Sequence, residues 1–323
     1  MPSVYFATNR AVTNSADPAG GYPATMVPPD SPALITYGIA TVAGVDVAAD
    51  NAGSVSSIAD IFQGGFSAAS LAAIAGAPND LLVFIHGFDN TFADAITRAA
   101  FNREFLAASG QPRTDTTVIA FSWPSKGQLV GFPLPDGAYK FDQHMARTSG
   151  PALTAFLAGL QPTLAAARAA GRRVTLLAHS MGNLALQATV ESWFLNQKPA
   201  GLLFDLAVLA AGDCDYDTFL QPNLARLSGL VQLAGRVATY YSHSDLVLKL
   251  SQVVNLGAQR LGQDGPLHRT DPALYDPAKY SAVDCTADQD YTPFDFQSSH
   301  QYYRRSPKVR ALIAADLAGG AAV

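Results

Sequence analysis

Read only as apolar and polar positions, the chain becomes regular at about residue 81. From there, short runs that are apolar at nearly every position alternate with stretches of helical spacing. L-L-V-F-I-H at 81–86, T-V-I-A-F-S at 117–122, the run leading to Ser180, 202–211 and 236–241 are the continuous type. That is the pattern of strands covered on both faces. Between them, Phe92, Ile96, Ala99 and Leu106 keep roughly helical spacing behind a Thr91/Asp94 N-cap pair. Leu153, Phe156, Leu157, Leu160 and Leu164 mark another helix, in which Pro162 predicts a kink or a restart and which Gly171 ends. Further helices are expected after Ser180 to about 196, over 219–230 despite Pro222, over 245–254, and, amphipathic, over 307–317.

The remaining segments read less clearly. A first strand is expected at 4–8, irregular chain over 17–32 and a second strand at 33–42. Residues 43–80 are dominated by Ala, Gly, Ser and Asp, with one short helix near Leu71. A Gly/Pro/aromatic loop runs from Trp123-Pro124 to about 139, a Pro-containing polar loop over 262–279, and a last strand is expected at 280–283. Strands alternating with helices predict an α/β fold, a mostly parallel central sheet with helices on both faces. The expectation is one domain over 1–323, with 43–80, 124–140 and 262–279 as candidate cap or lid insertions.

Composition narrows the classes. Hydrophobic residues make up 49% of the 323 and charged residues 15%, ample for a large core. A net charge of −5 argues against a nucleic-acid partner. No apolar stretch is long enough to span a bilayer, and M-P-S-V-Y-F-A-T-N-R lacks the basic start of a secretory signal, so a cytoplasmic protein is expected. Two cysteines, Cys214 and Cys285, give neither a disulfide framework nor zinc-ligand spacing. They read as reduced thiols, with one disulfide as the alternative.

The chemistry centres on R-V-T-L-L-A-H-S-M-G-N at 173–183. An apolar strand ends in small residues and runs into a helix-compatible sequence, with Ser180 at the turn. This is a nucleophile elbow with Ala178 in place of the usual first glycine. Such a turn forces the serine into a sparsely populated conformation, so small residues must flank it. A serine hydroxyl needs a base to take its proton and an acid to orient that base. In this architecture both follow the serine in sequence. Asp245, in S-D-L-V-L after the 236–241 strand, is the favoured acid, although a helix N-cap would explain it too; Asp213 is the alternative. His300, in S-S-H-Q-Y-Y before the last helix, is the favoured base over His268 and His243. The N–H groups of Met181 and of Phe88, in H-G-F-D-N, are the expected oxyanion donors. His86 and His179 read mainly as packing or hydrogen-bonding residues. Trp123, Phe132, Phe141 and Tyr139, with His179, are candidates for a substrate pocket or lid, and a core role fits the aromatics equally.

Several segments together resemble an α/β-hydrolase, specifically an uncharacterised esterase/lipase-like branch often found in bacteria. They are A-T-N-R at 7–10, I-H-G-F-D-N-T-F at 85–92, F-S-W-P-S at 121–125 and the Tyr139/Asp142 pair. A-H-S-M-G-N at 178–183, S-D-L-V-L at 244–248 and S-H-Q-Y-Y at 299–303 complete them. The resemblance implies an α/β-hydrolase fold with Ser180, Asp245 and His300 as triad, in agreement with the positional argument. The expected activity is cleavage of a small-molecule carboxylic ester through an acyl-enzyme, with neither metal nor organic cofactor. The same machinery also serves an amidase, thioesterase or peptidase, and a hydrolase scaffold can persist as a non-catalytic binding protein. The sequence sets no oligomeric state.

Overall fold

In the computed structural model, residues 1–108, 116–126, 136–199, 201–288 and 296–318 are described. One nine-stranded sheet runs through them, in the order β3-β2-β1-β5-β4-β6-β7-β8-β9. The strands are β1 (Ser3–Thr8), β2 (Thr36–Ala43), β3 (Ser54–Gln63), β4 (Leu81–Ile85), β5 (Thr117–Ser122), β6 (Val174–His179), β7 (Phe204–Ala210), β8 (Ala234–Tyr241) and β9 (Tyr280–Asp284). β2 pairs antiparallel with both β1 and β3, and every other pairing is parallel. The expected mostly parallel α/β fold is therefore present.

The continuous apolar runs have a direct structural reason. Along β4, Leu81, Val83 and Ile85 enter one core while Leu82 and Phe84 enter the other. β6 divides in the same way, with Val174, Leu176 and Ala178 against Leu177. A strand alternates its side chains between faces, so a sheet with two dry faces needs apolar residues at every position. One face is covered by α1 (Ala68–Gly76), α3 (Asp136–Thr148), α4 (Gly150–Ala169) and α5 (Gly182–Leu195). The other is covered by α2 (Phe92–Ala108), α9 (Tyr302–Arg305) and α10 (Pro307–Leu317). The remaining helices, α6 (Leu246–Val254), α7 (Leu261–Asp264) and α8 (Phe296–His300), lie in the connections that follow β8 and β9.

Four expectations need correction. The 219–230 segment is a series of turns rather than a helix: Asn223, Leu224 and Arg226 adopt left-handed backbone (φ 58°, 60° and 52°) behind Pro222. Proline disfavours helical backbone in the residue before it and supplies no donor. Pro162 does not restart a helix, because α4 runs through it from Gly150 to Ala169. Its ring is on the exposed side, where water can satisfy the freed carbonyl. Residues 54–63, left without a strand, form edge strand β3, which is largely exposed and correspondingly polar. Residues 136–148, read as loop up to 139, form α3. Its buried stripe of Ala138, Tyr139, Asp142 and Ala146 includes a carboxylate, which hides the apolar period.

Leu176, fully buried on β6, and Phe62, 48% exposed on β3, bracket the range of side-chain contributions. Leu176→Ala is expected to cost about 2–5 kcal/mol and Phe62→Ala less than about 1 kcal/mol, read from urea unfolding midpoints.

Candidate active site

Parallel strands bring the ends of β1, β4, β5, β6, β7 and β8 to one edge of the sheet, and the candidate residues lie just beyond those ends. Ser180 follows β6 with φ +56°, a left-handed conformation for a non-glycine residue. Hydrogen bonds hold it there. Its N–H donates to Ala210 O at 3.0 Å, and its carbonyl accepts from the N–H groups of Asn183 and Asp213, each at 3.0 Å. The Asn183 amide adds a third donor to that carbonyl at 3.1 Å. Gly182 is obligatory at its flank: a Cβ there would stand 2.5 Å from His86 O and 2.6 Å from Ile85 O. Gly87 is equally constrained from the opposite loop, since its Cβ would lie 2.7 Å from Ser180 Cβ and 3.2 Å from Oγ. The loop after β4 therefore touches the nucleophile candidate directly.

Asp245 is fully buried at the N-cap of α6 and divides its oxygens between two partners. Oδ1 accepts the Leu248 N–H at 3.0 Å, and Oδ2 lies 2.7 Å from His300 Nδ1. A carboxylate only accepts, so Nδ1 donates to it, and in the neutral tautomer that fits this contact Nε2 is the lone-pair atom. Nε2 is buried without a hydrogen-bond partner among the described residues, so no bond joins it to the Ser180 hydroxyl in this conformation. The imidazole nonetheless lies beside the elbow, its ring 4.9 Å from that of His179. Unliganded sites commonly hold such pairs loosely. His243 and His268, the other histidine candidates, lie elsewhere: His243 is near Asp264 and Asp284, and His268 is exposed in the 262–279 segment.

Asp213, the alternative acid, is committed to other partners. It pairs with Arg260 Nε at 3.0 Å, both side chains only 3% exposed, and accepts from Tyr139 Oη at 2.8 Å and Ser251 Oγ at 2.5 Å. Asn255 Nδ2 donates to the same tyrosine oxygen at 2.9 Å. Tyr139 thus ties α3 to α6 and presents its ring to Phe88, 5.7 Å away. Burial, reinforced by the Asp213 charge, raises its phenol well above the ordinary range.

The remaining pocket candidates separate. Trp123 is fully buried, stacked on His86 with ring centroids 4.8 Å apart, and its indole N–H donates to His86 O at 2.8 Å. His179 is buried against Tyr303 and its Nε2 lies 3.2 Å from His300 O. Burial holds its ring well below the usual histidine range, so it is neutral and donates to that carbonyl. His86 is likewise neutral, lowered to about 3 by burial and then by the Arg10 charge. Phe141 is partly exposed on α3, under Lys126 Nζ at 4.2 Å from the ring centre. Phe132 falls outside the described residues. Cys214 and Cys285 are both buried and free, with burial pushing each thiol up to about 12.

Neither the Met181 nor the Phe88 N–H has an acceptor among the described residues. Met181 N-caps α5, where the helix dipole favours negative charge. Phe88 belongs to a loop drawn tight by Asn90, whose amide donates to Gly87 O at 3.1 Å and Phe88 O at 2.7 Å. That loop also carries Asp89, at φ +60°.

With this geometry in view, comparison with known proteins places the chain. Residues 71–316 match the model of a family described as alpha/beta hydrolase of unknown function (DUF900). The chain belongs to this family. No curated protein matches it. Among solved structures it is similar to lipase B of Aspergillus fumigatus, at 12% identity over 76% of this chain and 53% of that one (TM-score 0.38). It is also similar to the thermophilic carboxylesterase EstE1 from a metagenomic library, at 13% over 75% and 80% (TM-score 0.36). A cold-adapted esterase from an Arctic intertidal metagenomic library matches at 13% over 84% and 88% (TM-score 0.34). The chain spans about half the length of the first of these. The likenesses are distant, and membership in the α/β-hydrolase family rests on the family match. Among the described residues no helix is long and apolar enough to cross a membrane.

Sequence reading did not single out Arg10, Asn90 or Asn183 as site residues. Asn183 and Asn90 hold the two loops through their amides, and Arg10 is buried behind the second. The signal for Arg10 was an arginine two residues after an apolar strand, inside A-T-N-R.

Two expectations follow from the electrostatics. Burial, then the neighbouring Asp142 charge, raises the Asp89 carboxyl to about 6. The folded state therefore holds this proton more tightly than the unfolded chain. Its cost is absent below about pH 4 and develops as pH rises through about 6. Asp89→Asn, which tolerates left-handed backbone, is expected to raise the melting temperature at pH 7 to 8, with the gain vanishing near pH 4. Arg260→Met leaves Asp213 buried and uncompensated and is expected to cost about 3–5 kcal/mol in chemical denaturation.

Proposed function

We propose that this α/β-hydrolase cleaves carboxylic esters by way of an acyl-enzyme on Ser180. The observation that supports this best is the 2.7 Å contact between His300 Nδ1 and Asp245 Oδ2, set beside a serine in left-handed backbone. In this reading Ser180 Oγ attacks the ester carbonyl carbon while His300 Nε2 takes its proton. Asp245 stays ionised, keeps the ring in the required tautomer and stabilises the imidazolium. The tetrahedral oxyanion is held by the Met181 and Phe88 N–H groups, donors fixed before charge develops. The intermediate collapses as Nε2 returns the proton to the departing alkoxide. Water, deprotonated by the same nitrogen, then attacks the acyl-enzyme and releases the acid and free Ser180. Amides and thioesters would follow the same path and are rival substrates. A rate panel over matched ester, thioester and amide separates them.

In this scheme Ser180→Ala is expected to abolish p-nitrophenyl ester turnover and labelling by a fluorophosphonate. Undiminished turnover in that variant would refute the reading. Asp245→Asn is expected to lower kcat by about 10⁴-fold, as loss of the orienting acid does in serine hydrolases of this type. Asp213→Asn is expected to act mainly on stability, which distinguishes the two acids. A wild-type protein that the fluorophosphonate never labels would instead favour a binding protein on a hydrolase scaffold.

A further inference from the structure

Arg10 is only 1% exposed, yet no carboxylate lies within ion-pair distance of it among the described residues. Its guanidinium donates instead to the chain itself. Nη2 donates to Asn90 O at 3.0 Å and to Trp123 O at 2.9 Å. Nη1 donates to Ser125 O at 3.2 Å and Pro23 O at 3.3 Å, and Nε to Ser122 Oγ at 3.2 Å. One cation therefore pins the connections after β4 and β5 to the end of β1. The two pinned loops are also tied to each other. Asn90 N–H donates to Ser125 Oγ at 3.1 Å, and Ser125 Oγ in turn donates to the buried Asp142. From Asn90 the path to the reacting atoms is short: its amide grips the Gly87 and Phe88 carbonyls, and Gly87 is packed against Ser180.

We propose that Arg10 is a positioning residue for the oxyanion donor: it fixes the 86–90 loop so that the Phe88 N–H faces the position of the developing charge. This rests on the ester-hydrolase reading and deepens it. A planar fork of donors can hold several carbonyls from separate loops at fixed angles, which a flexible ammonium cannot. Buried without an ion-paired carboxylate, such a cation is costly to keep, and one of its carbonyl partners, Asn90, belongs to the loop that packs against Ser180. A purely structural clamp would affect substrate and transition state alike. A positioning role affects only the transition state.

The experiment compares the wild type, Arg10→Lys, Arg10→Ala and Leu164→Ala. The last is a buried α4 variant that controls for lost stability. Each is assayed for kcat and KM on a p-nitrophenyl ester and for affinity towards a boronic acid, which mimics the tetrahedral oxyanion. Arg10→Lys, folded by circular dichroism, is expected to lose about 10- to 100-fold in kcat with KM within about twofold, smaller than removal of an oxyanion donor outright. Boronate affinity should fall in parallel with kcat/KM. Added guanidinium ion should restore part of the kcat of Arg10→Ala and have no such effect on Leu164→Ala. An Arg10→Lys enzyme with kcat within about twofold of wild type overturns the proposal and leaves the hydrolase reading standing. So does a loss that appears only in KM, or one that Leu164→Ala reproduces. A wild type with no turnover and no fluorophosphonate label overturns both. If both arginine variants fail to fold, the tenfold discrimination is sought in Asn90→Ala, the next residue along the path; unchanged kcat there also overturns the proposal.

Discussion

The structure turns on the left-handed backbone at Ser180. A β-to-α turn that sharp costs on the order of 1–3 kcal/mol at a non-glycine residue and persists only where the surroundings over-determine it. Here the N–H is fixed to β7 and the carbonyl takes three donors, from Asn183 twice and from Asp213. Gly182 lets the start of α5 approach the last carbonyls of β4. The consequence is a hydroxyl raised above the carboxyl edge of the sheet, at a helix N-terminus, with the next loop in contact.

The rest of that edge is arranged by buried polar contacts. Asp245 begins α6 and holds His300 with the same carboxylate, so the position of the imidazole is tied to a helix start. His179 donates to the His300 carbonyl and sets the backbone on which that ring is carried. Arg10 and Asn90 do the corresponding work for the 86–90 loop. Asp213, which sequence position offered as a rival acid, serves instead to join Arg260, Tyr139 and Ser251 beneath α6. The two acids after strands thus differ in the partners that surround them.

Much of the fold was legible because two dry sheet faces leave an unmistakable record. Runs such as 81–85 and 118–121 have no polar position. Legibility failed where that logic stops. β3 is an exposed edge whose residues need not be apolar, and α3 buries Asp142 within its stripe. The 219–230 segment has helical composition, but its left-handed residues depend on tertiary context. At the candidate site, Ser180, Asp245 and His300 stood out by residue type and chain order. The supporting amides and Arg10 did not, since they act through backbone carbonyls and any apolar strand can precede an arginine. Trp123 carried an ambiguous signal: its indole fits a pocket or a core, and the structure puts it in the core under His86.

The central claim is that the acyl group of the substrate is transferred to Ser180. Mixing the wild-type protein with p-nitrophenyl acetate, quenching in acid during the first turnover and mapping peptides by mass tests it most directly. The account predicts up to one acetyl group per chain, confined to the peptide containing Ser180 and lost on longer incubation. Turnover with no acetylated peptide, or with the acetyl group on another residue, would contradict it.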